Sequence, residues 1–433
     1  MRNLALKILA AILRRLALIT LERYKPSLVG VTGSVGKTST KMAIAAVLAS
    51  SRSVRASSKS FNNEIGLPLA ILGDWDSTEG KFFWFNTILS SLKELTWKNP
   101  AYPNIIVLEY GVDRPGDLDR LLHTAKPHIG VVTTLGEIPV HVEFFAGPEK
   151  VAEEKSKLVE ALPSTGFAIL NADDEIVLNM KEKTRAHPVT YGFSSGTDVR
   201  ITNFENRFDK DFRGVVFKLS YAGNIVPVRI RDVFGKTYAY AAAAAAAVGL
   251  IYGLNLVRIS EALLQLSPPP GRLRLIKGEK ETFIIDDTYN ASPTAMHEAL
   301  VTLRSLKAKR RIAVLGDMLE LGKYTLASHE GIGRVAAKSA DILLTLGMKA
   351  KFIAERAVKS GMSQKNVMTF TNLEECTRTL EGMIQKGDLI LVKGSQGVRM
   401  EKVVLEIMAE PQKAEELLVR QSPVWLKKKG IYE

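Results

Sequence analysis

Residues 28–38 read Leu28-Val29-Gly30-Val31-Thr32-Gly33-Ser34-Val35-Gly36-Lys37-Thr38. The apolar start reads as a buried strand, and Lys37 to Ala49 continues as a helix. The turn between them has the chemistry of a phosphate cradle. Its glycines let backbone N–H groups approach phosphate oxygens, and the helix N-terminus adds partial positive charge. Lys37 is spaced to bridge β- and γ-phosphates, and the Thr38 hydroxyl to ligate Mg²⁺. The strict phosphate-loop pattern fails, because its first glycine would fall on Val31. A chance Gly-Lys-Thr turn is the competing reading, and the strand–loop–helix context argues against it.

Working outward, strand-like and helical runs alternate. Residues 105–111 and 129–135 are apolar strands ending in polar residues, 148–162 is helical with Pro148 near its first turn, and 167–174 is another strand. Alternation of this kind predicts a mainly parallel sheet covered by helices. Residues 185–232 instead suggest an antiparallel β subregion, either an insertion or a sheet extension. The run from Tyr238 to Tyr252, rich in alanine, suits a close-packed internal helix. The Ser-Pro-Pro-Pro-Gly-Arg stretch at 267–272 is a stiff connection. Beyond it, four more strands separated by helices predict a second, Rossmann-like unit. The expected organisation is therefore a helix over 1–26, an ATP-binding unit over 27–270 and a C-terminal unit over 271–433.

In α/β sheets, functional groups gather beyond the C-terminal ends of strands. Glu109 ends one strand and His141 follows another. A carboxylate and an imidazole beside a triphosphate suggest a second divalent cation. Taken alone, His141 reads first as an ordinary loop histidine, and Lys155 as a solvated helix lysine beside Glu153, Glu154 and Lys157.

The 433 residues carry a net charge of +13, with 24% charged and 46% hydrophobic. This excludes a disordered or collagen-like chain. The charge is uneven: residues 1–60 hold eleven Lys or Arg and one acid, Glu22. A basic end of this kind suits nucleic acid, an anionic membrane or a phosphate ligand. The phosphate loop lies inside the basic stretch and no aromatic-rich basic pattern accompanies it, so nucleic acid is not expected. Cys376 is the only cysteine, which fits a reducing cytoplasm. The first 26 residues are too interrupted by Lys7, Arg14 and Arg15 for an ordinary spanning helix. They read as an amphipathic helix, with Asn3, Lys7, Arg14 and Arg15 on one side and Leu4, Ile8, Leu9, Ile12, Leu16 and Ile19 elsewhere. Docking on its own domain and contact with a membrane surface through residues 1–23 are both open.

Together these pieces resemble the Mur ligase family, ATP-dependent amide-bond ligases that build cell-wall peptide stems. The likeness rests on Thr32-Gly33-Ser34 with Gly36-Lys37-Thr38-Ser39, on residues 61–68 (Phe61-Asn62-Asn63-Glu64-Ile65-Gly66-Leu67-Pro68), on Glu109-Tyr110-Gly111 and on His141-Val142-Glu143. Lys155, Asn171-Ala172-Asp173 and Pro270-Gly271-Arg272 continue it. Residues 286–291 (Asp286-Asp287-Thr288-Tyr289-Asn290-Ala291), residues 316–322 and Lys393-Gly394-Ser395 are similar to the branch that adds D-alanyl-D-alanine to UDP-N-acetylmuramoyl-tripeptide. The resemblance implies ATP as cofactor and two Mg²⁺ sites, one at Thr38 and Glu109, the other at His141 and a carbamylated Lys155. It implies Lys37, Lys155 and Arg272 as catalytic groups, with Asn171, Asp287, Tyr289 and Asn290 around the nucleotide. Asn62, Asn63, Asp317, Glu320 and Lys393 are implied on the substrate side. The partners implied are a UDP-muramoyl peptide or related anionic acceptor and D-alanyl-D-alanine. A cytoplasmic monomer is expected, with membrane-surface association open.

The pattern breaks in three places. Thr237 and Ala241 stand where the family usually has His and Asn near the adenine. Gln396 follows Lys-Gly-Ser where Arg is usual. Only about 26 residues precede the first strand, where the branch carries a domain gripping the UDP-sugar. That grip is expected to be missing, with the basic first helix compensating by engaging acceptor phosphates or a membrane. A ligase acting on another carboxylate, as in folylpolyglutamate synthases or on a lipid-linked acceptor, and a non-catalytic nucleotide-binding regulator are the rival readings.

Overall fold

The structure is a computed structural model that describes residues 2–57, 59–75, 78, 80 and 82–433, with the side chains of residues 2–4 left out. Asn3 and Leu4 of the predicted amphipathic pattern therefore lie outside the described side chains.

A long first helix, α1 (Arg2–Tyr24), leads into β1 (Ser27–Thr32), the phosphate turn and α2 (Lys37–Ala49). Next come β2 (Val54–Ala56), α3 (Gly66–Leu72), α4 (Phe83–Thr96) and β3 (Ile105–Glu109). Then follow α5 (Asp117–Leu122), β4 (Ile129–Val132), α6 (Pro148–Glu160), β5 (Phe167–Asn171) and β6 (His187–Gly192). The first sheet is completed by β7 (Val199–Phe208), β8 (Arg213–Tyr221) and β9 (Asn224–Arg231). Its nine strands run in the order β2-β3-β1-β4-β5-β6-β7-β8-β9. Pairing is parallel from β2 to β7, then antiparallel through β8 and β9. The antiparallel subregion is thus a sheet extension, because β7 pairs directly with β6.

The alanine-rich segment forms a buried helix, Lys236–Ile251, against α2 and the sheet. Every alanine from Ala241 to Ala247 is buried. Small side chains let the helix approach α2 closely, which the sequence expectation of a close-packed internal helix requires.

No strand or helix is assigned between Gln265 and Leu273. The second sheet begins there with β10 (Arg274–Gly278), followed by β11 (Thr282–Asp287), β12 (Arg310–Gly316), β13 (Ile342–Leu346), β14 (Val367–Phe370) and β15 (Asp388–Lys393). Their order is β10-β11-β15-β12-β13-β14, parallel except for β10. The α/β class and its mainly parallel sheets are as read from the sequence.

Docking of α1 on its own domain is observed: Leu13, Leu16, Ala17 and Thr20 are buried against α3 and α4. The wheel drawn from sequence needs one correction. Ile8 and Ile12 share the exposed side with Lys7, Arg14 and Arg15, because the buried stripe is centred on residues 13, 16, 17 and 20. Helix α4 was not anticipated from the sequence.

Candidate active site

Gly33 shows why the phosphate turn has its composition. Its φ of 140° lies in glycine territory, and a Cβ there would meet Thr133 Oγ1 at 1.9 Å. Gly36, with φ 88°, then turns the chain into α2, leaving the first-turn N–H groups facing the cleft. The Lys37 ammonium donates to the Gly33 carbonyl at 3.0 Å. Thr38 Oγ1 donates to Glu109 Oε2 at 3.1 Å, which brings the two expected first-cation ligands together.

Glu109 sits at the end of β3, fully desolvated. Burial opposes its charge, but Lys41, Lys37 and Arg272 outweigh that cost and hold its carboxyl below the usual range. Lys41 is the residue the sequence reading missed. Its ammonium lies 3.5 Å from Glu109 Oε2 and donates to the Lys59 carbonyl at 2.9 Å. The signal was its place four residues after Lys37, on the same face of α2. Asn62 Nδ2 donates to Glu109 Oε1 at 3.3 Å, so Asn62 reaches the same carboxylate.

Lys155, on α6, points at the same turn. It is buried and donates to the Gly33 carbonyl at 3.0 Å. Burial, followed by the nearby Lys37 charge, pulls its pKa down to about 7. His141 adopts φ 67° and holds its ring between two acids. Nε2 lies 3.3 Å from Asp113, and Nδ1 lies 2.5 Å from Glu320 without hydrogen-bond alignment. The His141 contact holds the Glu320 carboxyl below its usual range.

The second sheet closes the cleft from above. Arg272 Nη2 donates to Thr38 Oγ1 at 3.3 Å, and its guanidinium lies over the Tyr289 ring at 3.8 Å. Asp286 accepts from the Gly271 N–H, while Asp287 accepts from the Leu273 N–H, so the strand-end acids of β11 hold the connection on either side of Arg272. Asp287 also pairs with buried Lys393 at 2.6 Å, and Lys393 donates to the Asn290 carbonyl at 2.9 Å.

Two adjoining cavities result. One, of about 210 Å³, is lined by Ser34, Gly36, Lys37, Ser39, Glu109, His141, Lys155, Arg272, Asp287, Tyr289, Asn290 and Lys393, with Asn62 at its edge. The other, of about 830 Å³, lies across the phosphate turn and is lined by Asn171, Asp173, Tyr240, His297 and others. Val35, Gly36, Thr237 and Glu298 line both. Asn171 is thus on the far side of the turn from Glu109, where its amide donates to Thr134 Oγ1. Ala241 is buried in the helix core and lines neither cavity, whereas Thr237 lines both.

Three expected site residues have other work. Thr32 is buried and its hydroxyl donates to the Tyr110 carbonyl. The Asn63 carboxamide accepts from the Ile65 and Gly66 N–H groups at the start of α3 and lines an adjoining groove rather than the first cavity. Asp317 is fully buried and lines neither cavity. Its carboxylate accepts from the Lys349 and Ala350 N–H groups and from the Tyr432 hydroxyl. Its strand-end position in β12 resembled a ligand-facing site, but the chain turns it inward.

A phosphate turn facing a carboxylate, a histidine and a buried lysine, under a second α/β unit that contributes an arginine, defines a two-unit nucleotide-dependent ligase architecture. Comparison with known proteins agrees. The Mur ligase middle domain matches residues 31–249, and the Mur ligase, glutamate ligase domain matches residues 271–396. The UDP-N-acetylmuramoyl-tripeptide--D-alanyl-D-alanine ligase of Bacillus subtilis (strain 168) is 31% identical over 401 residues, 92% of this chain and 79% of the relative. The MurF ligase from Thermotoga maritima, solved in complex with ADP, superposes with a TM-score of 0.76 at 25% identity, covering 93% of this chain and 84% of that one. Mycobacterium tuberculosis folylpolyglutamate synthase complexed with ADP shares the fold, with a TM-score of 0.63 at 15% identity over 90% and 92% of the two chains. The chain belongs to the Mur ligase family. It is an ATP-dependent acid–amino-acid ligase.

Proposed function

We propose that this chain adds D-alanyl-D-alanine to UDP-N-acetylmuramoyl-tripeptide, or a related anionic acceptor, in cytoplasmic peptidoglycan precursor synthesis, acting as a monomer. The observation that carries the reading is the convergence of Lys37, Thr38, Glu109, Lys155 and Arg272 on one cleft, in a chain related along most of its length to that ligase. The units 27–270 and 271–433 supply the two walls of that cleft.

The acceptor carboxylate attacks the γ-phosphorus of ATP, the bond to the bridging oxygen breaks, and ADP leaves. The amine of the dipeptide attacks the resulting acyl phosphate. The carbon–oxygen bond to phosphate breaks, and the surplus amine proton departs with the phosphate. Such transfers depend mainly on positioning and charge neutralisation. Lys37 and the first turn of α2 hold the β- and γ-phosphates. Arg272 neutralises the γ-phosphate while stacked on Tyr289, and its contact with Thr38 requires the two units to be close.

The residues present fit divalent cations. Thr38 and Glu109 meet at the phosphate turn, with Glu109 held ionised. His141 lines the same cavity, with its ring nitrogens 3.3 Å from Asp113 and 2.5 Å from Glu320, so carboxylates stand beside it. Mg²⁺, when bound, would offset the phosphate charge at Thr38 and Glu109, and a second ion would be held by His141 and Lys155 as its carbamate. A Lys155 pKa of about 7 leaves a large neutral fraction at physiological pH, and a neutral amine is the form that adds CO₂.

The test follows ¹⁸O from a labelled acceptor carboxylate. One label should appear in released phosphate for each amide formed. Amide formation with the expelled ¹⁸O appearing in water rather than in phosphate would remove the acyl-phosphate step.

A further inference from the structure

Helix α4 has two apolar faces. Its inner side packs Phe83, Trp84, Ile88 and Leu95 onto α1 and α3, with Thr87 and Ser91 buried beneath. Phe82, Phe85, Leu89 and Leu92 follow at spacings of three, four and three, which puts them on one outward stripe. Phe82 is 70% exposed, Phe85 64%, and Trp97 just beyond the helix 71%. Singly exposed apolar side chains are ordinary, but a solvent-facing helix surface is expected to be polar. The neighbouring α1 exposes Ile8 and Ile12 between Lys7, Arg14 and Arg15; α4 carries exposed Lys93, and exposed Lys98 follows just beyond the helix. The one acid on α1, Glu22, sits at its far end.

We propose that α1 and α4 form a docking surface for an anionic lipid bilayer. No helix among the described residues is long and apolar enough to cross a membrane, so the contact is interfacial. Aromatic side chains suit the headgroup boundary, and the basic residues suit acidic lipid. A two-fold contact with a second copy would set the Lys7, Arg14 and Arg15 array against itself, which charge repulsion disfavours. The surface also adjoins the active site. A groove of about 360 Å³ is lined by Leu6, Lys7 and Ala10 of α1 and by Asn62, Gly111 and Asp113, and these last three also line the phosphate-side cavity. Docking would therefore place one entrance to the cleft at the lipid surface.

The proposal is tested by co-sedimenting the full chain with vesicles of phosphatidylcholine, alone or mixed with phosphatidylglycerol, alongside sedimentation velocity without lipid. Binding to the phosphatidylglycerol vesicles is expected, weakened by added salt. Arg14→Gln with Arg15→Gln should weaken it roughly 30-fold. Phe85→Ser with Leu89→Ser should weaken it at least ~10-fold while leaving ATP turnover unchanged. Absence of binding at low salt, equal binding to pure phosphatidylcholine, or self-association lost in the Phe85/Leu89 variant without vesicle binding would overturn it. The readout is partition rather than catalysis, so its failure leaves the ligase reading intact.

Discussion

Lys155 is the residue whose chemistry depends most on its surroundings. Nothing local in Glu153-Glu154-Lys155 separates it from a solvated lysine; burial beside Lys37 and the Gly33 carbonyl does. With the folded pKa lowered to about 7, its neutral fraction rises as pH rises through that value. Carbamate occupancy, read by NMR under ¹³CO₂, should therefore increase from pH 6 to pH 8 and vanish in Lys155→Ala. That variant should lose turnover at least ~100-fold and recover part of it with short carboxylic acids. Lys41 has a different role. Lys41→Met should cost about 3 kcal/mol of stability by leaving buried Glu109 less compensated, measured by denaturant unfolding. The phosphate-turn residues were legible in sequence because their chemistry is set by contiguous backbone. Lys41, Asp113 and the inward turn of Asp317 were not, because each depends on a segment distant in the chain.

At the scale of elements, the strands and the phosphate-turn helix were readable from buried apolar runs and their polar ends. Helix α4 was not read although Phe85, Ile88, Leu89, Leu92 and Leu95 recur at helical spacing; the structure buries Thr87 and Ser91 and leaves Phe85, Leu89 and Leu92 of that stripe exposed. Its two faces predict opposite mutational costs. Leu89→Ala, on the outer stripe, should change stability by no more than about 0.5 kcal/mol. Ile88→Ala, packed inward, should cost about 2 kcal/mol in the same unfolding measurement. The short β10 was likewise missed. Its antiparallel pairing with β11 is fixed by the connection that Asp286 and Asp287 hold, rather than by its own composition.

Across the whole molecule, two sheets meet at one cleft and divide the work. The first positions phosphate, acid and lysine; the second brings Arg272 and the Asp287–Lys393 pair. Motif order along the chain made this division legible before the geometry was known, whereas the partition into two cavities needed the folded structure. Mg·ADP should raise the melting temperature of the intact chain, and Gly33→Ala should abolish that rise, because its Cβ collides with Thr133. The most direct measurement supplies ATP, Mg²⁺, UDP-N-acetylmuramoyl-tripeptide and D-alanyl-D-alanine and determines the product mass. The account predicts an acceptor heavier by one dipeptide less one water, with one ADP and one phosphate formed per product. ATP hydrolysis that leaves the acceptor mass unchanged would contradict it.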